Sequence, residues 1–515
     1  MQAEHPPHIR HWPPGLPRSL RAPAGLRLHD MLENAARRDP AKPLLHFEDR
    51  SLSYGDALAQ VERLAGFLQH ACGVQRGDRV LLDMQNSADF VIACFAILRA
   101  DAVVVPLSPM NVASELAHYA ADSGATVALT SADLADRFDG IARALVPGRD
   151  DFGGHDPAPS LSATGDLAML PYTSGSTGKP KGCMHTHDSV MHNVVGAAAW
   201  KRITAGTVAL ATAPFFHVTG LVHSFLATVY AGGTMAIQQR WDPLAAARIV
   251  ERYRCTHWDN VPTMVVDLLS HPGALQHDVS SLRSIFGGGA AMPEAIAQKL
   301  FDICGVHYVE GYGMTETISQ THMNPPQRPK KQCLGIPTFD TESLVIDPDT
   351  FKPLAPGEPG EIVVRGPQLL CGYWQNEAAF RESWVDVDGK AYFRTGDLGR
   401  MDEDGYFFIA DRLKRMINAA GYKVWPAEVE ATMYRHPAIK ECCIIAAPDA
   451  RRGETVKAVV VLKPGAAASG EEILAWARKE MAAYKAPRLI EFSAALPRTP
   501  SGKLMWRALQ EKEFA

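Results

Sequence analysis

Apolar and polar positions along this chain recur with two periods, and the switches between them mark out its elements. Leu58, Val61, Ala65 and Leu68 repeat at helical spacing and stop at Gly73. Residues 79–82 then read as a strand, 87–98 as a helix with Phe90, Cys94 and Ile97 inward, and 102–105 as a second apolar strand closed by Pro106. A helix over 113–121 ends near Gly124, and 127–129 forms a third strand. Repeated strand–helix–strand units predict parallel-rich sheets covered by helices. In such sheets ligands sit at the loops leaving the carboxyl ends of the strands.

Residues 203–239 carry no Asp, Glu, Lys or Arg, a run of 37 residues long enough for a membrane span by length alone. Pro214, His217, His223, Gly232 and Gly233 break it into short pieces, so buried strand, turn, helix and strand is the expectation. From Pro353 the run PLAPGEPGEIVVRGPQLLCGYW interleaves short β-segments with Gly and Pro, which suggests a small antiparallel or barrel-like section. Past the basic string Asp411-Arg412-Leu413-Lys414-Arg415 come two helical units, one with Pro426 at its first turn and one opened by Ser469 and Glu472 as a capping box. The second, over 469–484, places Ile473, Leu474, Ala477 and Met481 on one face. The fold class expected is therefore α/β. Residues 1–411 form a large N-terminal domain of parallel-rich αβα-layered sheets with a small β-barrel section, and residues 412–515 a smaller α+β C-terminal domain.

Composition narrows the function. A chain of 515 residues that is 46% hydrophobic and 21% charged is globular and has room for several cores, which excludes disordered and collagen-like classes. A net charge of -5 supplies no positive field for nucleic acid. Nine cysteines without CxxC or His-paired metal spacing point to a reducing, cytoplasmic compartment, and the Pro-, His- and Arg-rich start lacks the apolar run of a signal peptide.

Three Gly-rich segments hold the candidate chemistry. PYTSGSTGKPKG, residues 171–182, packs glycines with hydroxyl residues and two lysines after an apolar run, the donor set needed around a triphosphate. It is not a Walker A loop, because Thr173 and Pro180 stand where Gly and Ser/Thr are required. IFGGGAA, residues 285–291, follows a strand over 282–286 and lets backbone approach a flat ligand, while Met292 breaks the dinucleotide fingerprint G-x-G-x-x-G. EGYGMTETIS follows a strand over 307–309 and groups Tyr312, Thr315 and Glu316 on a tight turn, where a ring, a hydroxyl and a carboxylate could stack a base, hold a phosphate oxygen and ligate a hard cation. YFRTGDLG adds Asp397, whose two oxygens suffice for the vicinal hydroxyls of a ribose, and PRTPSGKLMWRAL adds Lys503 on a turn.

Taken together, YTSGSTGKPKG, GYGMTET, YFRTGDLG, DRLKRMI with GYKVWPAEVE, and PRTPSGK resemble, in order and spacing, the acyl-adenylate-forming superfamily, and bacterial medium- and long-chain fatty-acyl-CoA ligases most of all. The resemblance runs from about Leu28 to Leu509. It implies an ATP-dependent acyl-CoA synthetase, an acid–thiol ligase: a carboxylate attacks the α-phosphorus of ATP, releasing pyrophosphate, and the thiol of coenzyme A then displaces AMP. Charge stabilisation and positioning would carry the first step, with no general base.

By the same resemblance, Thr173, Ser174, Gly175, Ser176, Thr177, Gly178 and Lys179 hold the β and γ phosphates. Gly287, Gly288, Gly289, Ala290 and Tyr312 form the adenine slot, Thr315 touches the α-phosphate, Glu316 ligates Mg²⁺, and Asp397 with Arg412 takes the ribose. Lys503 bridges carboxylate and α-phosphate. The C-terminal domain is mobile, pivoting at Lys414 to bring Gly421 and Tyr422 onto the coenzyme A path, and His217 is a gate beside the acid, although a lone His in an apolar run also fits a core position. Two departures stand out: Ala-Asp-Arg at 410–412 replaces the common Gly-Arg, and Asn418 replaces a frequent Lys.

The acyl pocket is expected from 218–226, 258–264 and 311–320, with Leu221, Val222, Phe225 and Met264 giving an aliphatic wall and Asp259 capping a turn. Such a wall favours an alkyl or aryl acid over an amino acid, with a medium- or long-chain fatty acid first. The alternatives are an aryl or coumarate-like CoA ligase and an acyl-AMP ligase loading a carrier protein. The absence of a carrier domain after Ala515 and of a long insertion between Arg365 and Tyr373 weighs against the last. Partners are thus a small carboxylic acid, ATP and coenzyme A, with no nucleic acid, no integral membrane span, and a homodimer allowed.

Overall fold

The structure, a computed structural model, describes residues 6–173, 180–412, 415–419, 422–449, 453–498 and 504–514. Two large sheets, the first antiparallel at one margin and otherwise parallel, the second parallel in its centre and antiparallel at both margins, share a layer of helices. The first runs in the order Gly372–Tyr373, Cys183–Thr186, Leu167–Met169, Val103–Leu107, Arg79–Asp83, Val127–Thr130 and Arg143–Leu145. The second runs Ile336–Pro337, Ser319–Met323, Tyr308–Met314, Ser284–Gly288, His257–Asn260, Val208–Ala211, Thr234–Ile237, Pro43–Phe47 and Arg50–Ser53.

The sequence dictates this layering. In helix Ala88–Arg99 every residue from Phe90 to Leu98 is buried, and a helix apolar on all sides has no face to turn to water. It therefore lies between the sheets, in one core that joins Val80, Leu82 and Val104 of the first to Leu45, Met235 and Ile237 of the second. Helix His187–Trp200, also buried nearly all round, belongs to the same layer.

Local expectations hold for most elements, and the exceptions have physical causes. Pro106 does not close its strand but sits inside Val103–Leu107, opposite Leu82. Its missing N–H removes no ladder bond, because pairing on the side of Leu167–Met169 is confined to Val104. The strand expected over 307–309 runs on through Gly311 and Gly313 to Met314. A β-carbon at Gly313 would lie 1.6 Å from the Ser319 carbonyl oxygen, so glycine is what allows the antiparallel partner to close on it. The helix expected to reach 484 stops at Glu480, and Met481 is extended, leaving Ile473 and Ala477 as the buried contacts.

The charge-free run folds as strand Val208–Ala211, a π-helical turn Gly220–Leu226 continuing into helix Ala227–Ala231, and strand Thr234–Ile237. Among the described residues no helix is long and apolar enough to cross a membrane. The small antiparallel section begins earlier than Pro353, at Glu342–Ile346. It continues through Gly360–Arg365, Lys390–Met401 and Trp384–Val387, with Phe407–Arg412 also paired to Lys390–Met401. Beyond it, strands Tyr422–Val424, Ile417–Ala419, Gly453–Leu462, Ile439–Asp449 and Leu489–Phe492 form a separate sheet. Helices Pro426–Met433 and Gly470–Glu480 pack on it over a core of their own that includes Ile417, Val429, Ile444 and Ile473.

Candidate active site

Three sheets bring their candidate residues to one place. In the nine-stranded sheet, Ser284–Gly288 lies parallel to Tyr308–Met314, with Gly287 opposite Glu310 and Gly288 opposite Gly311. A β-carbon at Gly287 would stand 1.7 Å from the Tyr308 hydroxyl. Glycine there leaves space for that buried phenol, which lies 3.2 Å from Asn260 Oδ1. Two residues beyond Glu310, Tyr312 donates its hydroxyl to Asp397 Oδ2 at 2.5 Å. Asp397 is fully buried on the long antiparallel strand Lys390–Met401, with the backbone of Arg412 opposite it. A carboxylate at that depth requires hydrogen-bond donors.

The turn Thr315–Thr317 is anchored to the seven-stranded sheet. The Tyr373 hydroxyl donates to Glu316 Oε1 at 3.1 Å. Burial and the neighbouring carboxylate push the Tyr373 pKa up, which keeps the phenol a neutral donor. His185 Nε2 lies 2.8 Å from the Thr315 carbonyl oxygen. Burial lowers the His185 pKa to about 4, so the ring is neutral at pH 7 and its proton sits on Nε2 to make this bond. Directly before His185 stand the two stems of the Ser/Thr/Gly loop. Thr173 N–H donates to the Lys181 carbonyl at 2.9 Å, Lys181 N–H to Thr173 Oγ1 at 3.3 Å, and the Lys181 ammonium lies 4.2 Å over the Tyr373 ring.

Thr173, Tyr312, Thr315, Glu316 and Asp397 are thus drawn into one neighbourhood, with Gly287–Gly289 beside Tyr312; Gly289 turns with φ +80° just before Ala290. Ser174, Gly175, Ser176, Thr177, Gly178, Lys179, Lys414, Gly421 and Lys503 lie outside the described residues, as do the side chains of Arg412 and Tyr422. Arg498 and Leu504, which flank residues 499–503, pair in an isolated antiparallel bridge. Among the described residues no three His, Cys, Asp or Glu side chains gather into a metal cluster.

A family model described as "AMP-binding enzyme" matches residues 32–374, and one described as "AMP-binding enzyme C-terminal domain" matches residues 428–503. The chain belongs to the AMP-binding enzyme family. Among its relatives, a long-chain-fatty-acid–CoA ligase of Bacillus subtilis (strain 168) is 34% identical over 100% of this chain and 99% of its own. A feruloyl-CoA synthase of Amycolatopsis sp is 38% identical over 91% and 96% of the two chains. The crystal structure of ATP-bound MatB from Rhodopseudomonas palustris superimposes with a TM-score of 0.87 at 29% identity, covering 95% of this chain and 99% of that one.

In this AMP-binding enzyme a cavity of about 90 Å³ adjoins Tyr312 and Gly287–Gly289, and its wall departs from the aliphatic expectation. Leu221, Val222 and Phe225 are fully buried in the central helix layer, and Met264 packs with Leu268 and Val265 in another core. From the expected segments Val218, Thr219, His223, Asp259, Tyr312, Ser319 and Gln320 reach the cavity, joined by Lys201, Phe286 and Met323, so its wall is mixed. Ala227 N–H bonds back five residues to the Val222 carbonyl, and His223 faces the cavity with Val218 and Thr219, five and four positions before it. Asp259 caps no turn; it lies in strand His257–Asn260, and its Oδ1 takes a hydrogen bond from the Lys201 ammonium. His217 is exposed at the head of that helix, its ring centroid 5.0 Å from that of Phe216, which places it outside the core.

Sequence reading missed His185, Tyr373, Lys201, His223 and Ser319. Only Lys201 left a signal: it ends a helix apolar on nearly every side, so a lysine at that cap is drawn into the core.

Proposed function

We propose that this AMP-binding enzyme is an ATP-dependent acyl-CoA synthetase, which converts a carboxylic acid to acyl-AMP with release of pyrophosphate and passes the acyl group to coenzyme A. The observation that supports it most is the meeting of three sheets at Tyr312, where a buried carboxylate, a glycine-lined slot and the stems of a hydroxyl-rich loop adjoin. Asp397 and Arg412 would take the ribose. Tyr312 with Gly287–Gly289 and Ala290 would hold the adenine, residues 173–179 the outer phosphates, and Thr315 the α-phosphate. Glu316 would hold Mg²⁺ together with phosphate oxygens, a usual arrangement for that ion, which when bound offsets phosphate charge.

Lys503 would complete the charge cage on the α-phosphate. Residues 412–515 would move as a domain against 1–411 about Lys414, bringing Gly421 and Tyr422 onto the coenzyme A path. The exposure of His217 supports a gate rather than a core role. We place the reaction in the cytoplasm.

For the acid, relatives support both a fatty-acid and an aryl reading. The cavity wall sets Lys201, Asp259 and His223 beside Val218, Phe286 and Met323 and so fits both acid classes. A panel of fatty and aryl acids, followed by pyrophosphate release with and without coenzyme A, tests the proposal. Acid-dependent release with thioester formed only when coenzyme A is present is expected. Release without any thioester would favour an acyl-AMP ligase, and no release from any acid would refute the reaction.

A further inference from the structure

Strands Tyr308–Met314 and Ser319–Met323 are the two arms of a hairpin, with Met314 opposite Ser319 and residues 315–318 as its loop. The loop carries Thr315 and Glu316 at its tip and returns through two consecutive non-glycine residues in the left-handed region, Ile318 at φ 41° and Ser319 at φ 103°. Hairpin loops ordinarily place Gly or Asn at such positions. A β-branched residue there is an outlier, and it persists only where its surroundings over-determine it.

The surroundings do so carbonyl by carbonyl. The Thr315 carbonyl takes Ile318 N–H at 3.1 Å and His185 Nε2–H at 2.8 Å, and the Glu316 carbonyl takes Leu370 N–H at 2.9 Å. Asn193, 1% exposed on the central helix His187–Trp200, donates from Nδ2 to the Thr317 and Ile318 carbonyls at 2.8 and 3.1 Å. The fully buried Thr317 hydroxyl donates to the Ser319 carbonyl at 2.7 Å and accepts Met314 N–H at 3.0 Å. Every carbonyl from Thr315 to Ser319 is thus tied to a donor. The Ile318 side chain, fully buried, is sunk in the core of the helix layer. Glycine at 318 would relax the turn but give up that buried side chain.

We infer that Asn193 and Thr317 are positioning residues for adenylation: they hold the hairpin tip in a strained backbone conformation, and that conformation sets where the Thr315 hydroxyl and the Glu316 carboxylate stand. This rests on the reading of the chain as an acid-activating ligase, in which Thr315 and Glu316 serve the phosphates of ATP, and it assigns what supports that pair. Neither Asn193 nor Thr317 lines the cavity, so both act through the backbone of the tip. A tip released from these tethers relaxes towards negative φ at 318 and 319 and swings Thr315 and Glu316 with it. A displacement of about 1 Å at a reacting site costs about 10²-fold in rate.

The test is kcat for acid-dependent pyrophosphate release, with the acid turned over fastest in the panel above, each enzyme assayed well below its own melting temperature so that the folded fraction is not what is read. Asn193→Leu keeps the size of the side chain but donates to neither carbonyl, and should lower kcat about 10²-fold with KM for the acid unchanged. Thr317→Val should lower kcat about tenfold, and Thr317→Ser, which keeps the hydroxyl, should restore most of that loss. Relief of strain gives the decisive readout. Glycine adopts a positive φ freely, so in a Ser319→Gly background the turn needs less holding, and the loss caused by Asn193→Leu should shrink to about tenfold or less. A merely structural Asn193 would cost the same factor in both backgrounds. An equal loss in the two backgrounds, a kcat for Asn193→Leu close to wild type, or no difference between Thr317→Val and Thr317→Ser would overturn the inference while leaving the ligase reading intact. Pyrophosphate release from no acid by the wild-type enzyme would remove the ligase reading and the inference together. Should Asn193→Leu not fold, Thr317→Val in the two backgrounds decides the matter by the same criterion.

Discussion

Asp259→Asn is the most informative perturbation of the interior, because the structure bounds its cost. The Lys201 and Asp259 side chains are 1% and 6% exposed. Removing one partner of a pair that deep costs about 3–5 kcal/mol, whereas an exposed pair such as Arg381 with Glu377 contributes under about 1 kcal/mol. Burial already lowers the Lys201 pKa from its ordinary 10.5 and Asp259 opposes that shift, so the variant lets it fall further. The lysine escapes the full penalty by losing its proton on folding, for about 4 kcal/mol at pH 7.5 but only about 1 kcal/mol at pH 9.5.

A base whose folded pKa is depressed is destabilising below that pKa and is relieved as pH rises towards its unfolded value. The variant should therefore melt about 6–8 °C below wild type at pH 7.5 and within about 3 °C at pH 9.5, at about 2 °C per kcal/mol for a large cooperative unit. Thermal denaturation by circular dichroism at the two pH values reads this directly, with Arg381→Met as the exposed control. A loss below about 2 °C at pH 7.5, or one that does not shrink with rising pH, would refute the reasoning, since both results require the pair to be solvated.

Other consequences are open to measurement. Tyr312→Phe removes the donor to buried Asp397, and a hydrogen bond to a charged group is worth about 1.5–3 kcal/mol, so KM for ATP should rise about 10- to 100-fold in a pyrophosphate assay. An unchanged KM would detach this pair from the nucleotide. Lys503→Ala should slow pyrophosphate formation about 10²- to 10³-fold and spare thioester formation from supplied acyl-AMP, while Gly421→Leu should do the reverse. Equal losses in both half-reactions would deny the two residues separate roles. His29, His185 and His187 are each held by burial at a pKa of about 4, below the ordinary 6.5. The unfolded chain takes up protons first, so stability present above pH 6.5 is lost as pH falls towards 4, by up to about 3 kcal/mol per group. Melting temperature followed from pH 7.5 to 5 should drop, and less steeply in His185→Phe.

Most elements are written in short-range pattern, because burial period and turn chemistry act over a few residues. The helix over Phe90 to Leu98 and the strand texture around Val103–Leu107 follow from which positions are apolar, whereas burial on every side of that helix goes beyond the one face expected. The motifs proposed to hold the nucleotide are likewise contiguous, since a loop that cradles phosphate is built from its own backbone.

Tertiary packing decided what no spacing encodes. Tyr312 and Asp397 meet because two different sheets abut, across 85 positions of chain. Lys201, His223, Asp259 and Ser319 gather from a helix cap, a π-helical turn and the strands His257–Asn260 and Ser319–Met323. A lysine, a histidine and an aspartate far apart in sequence each read as ordinary in isolation. Their character depends on the local dielectric and on who stands within 3 Å, and both are properties of the folded body. A different rotation of segment 218–226 would exchange Val218, Thr219 and His223 at the cavity wall for Leu221, Val222 and Phe225. Apolar period cannot register such a change, because it leaves the same residues buried and alters only which of them line the cavity.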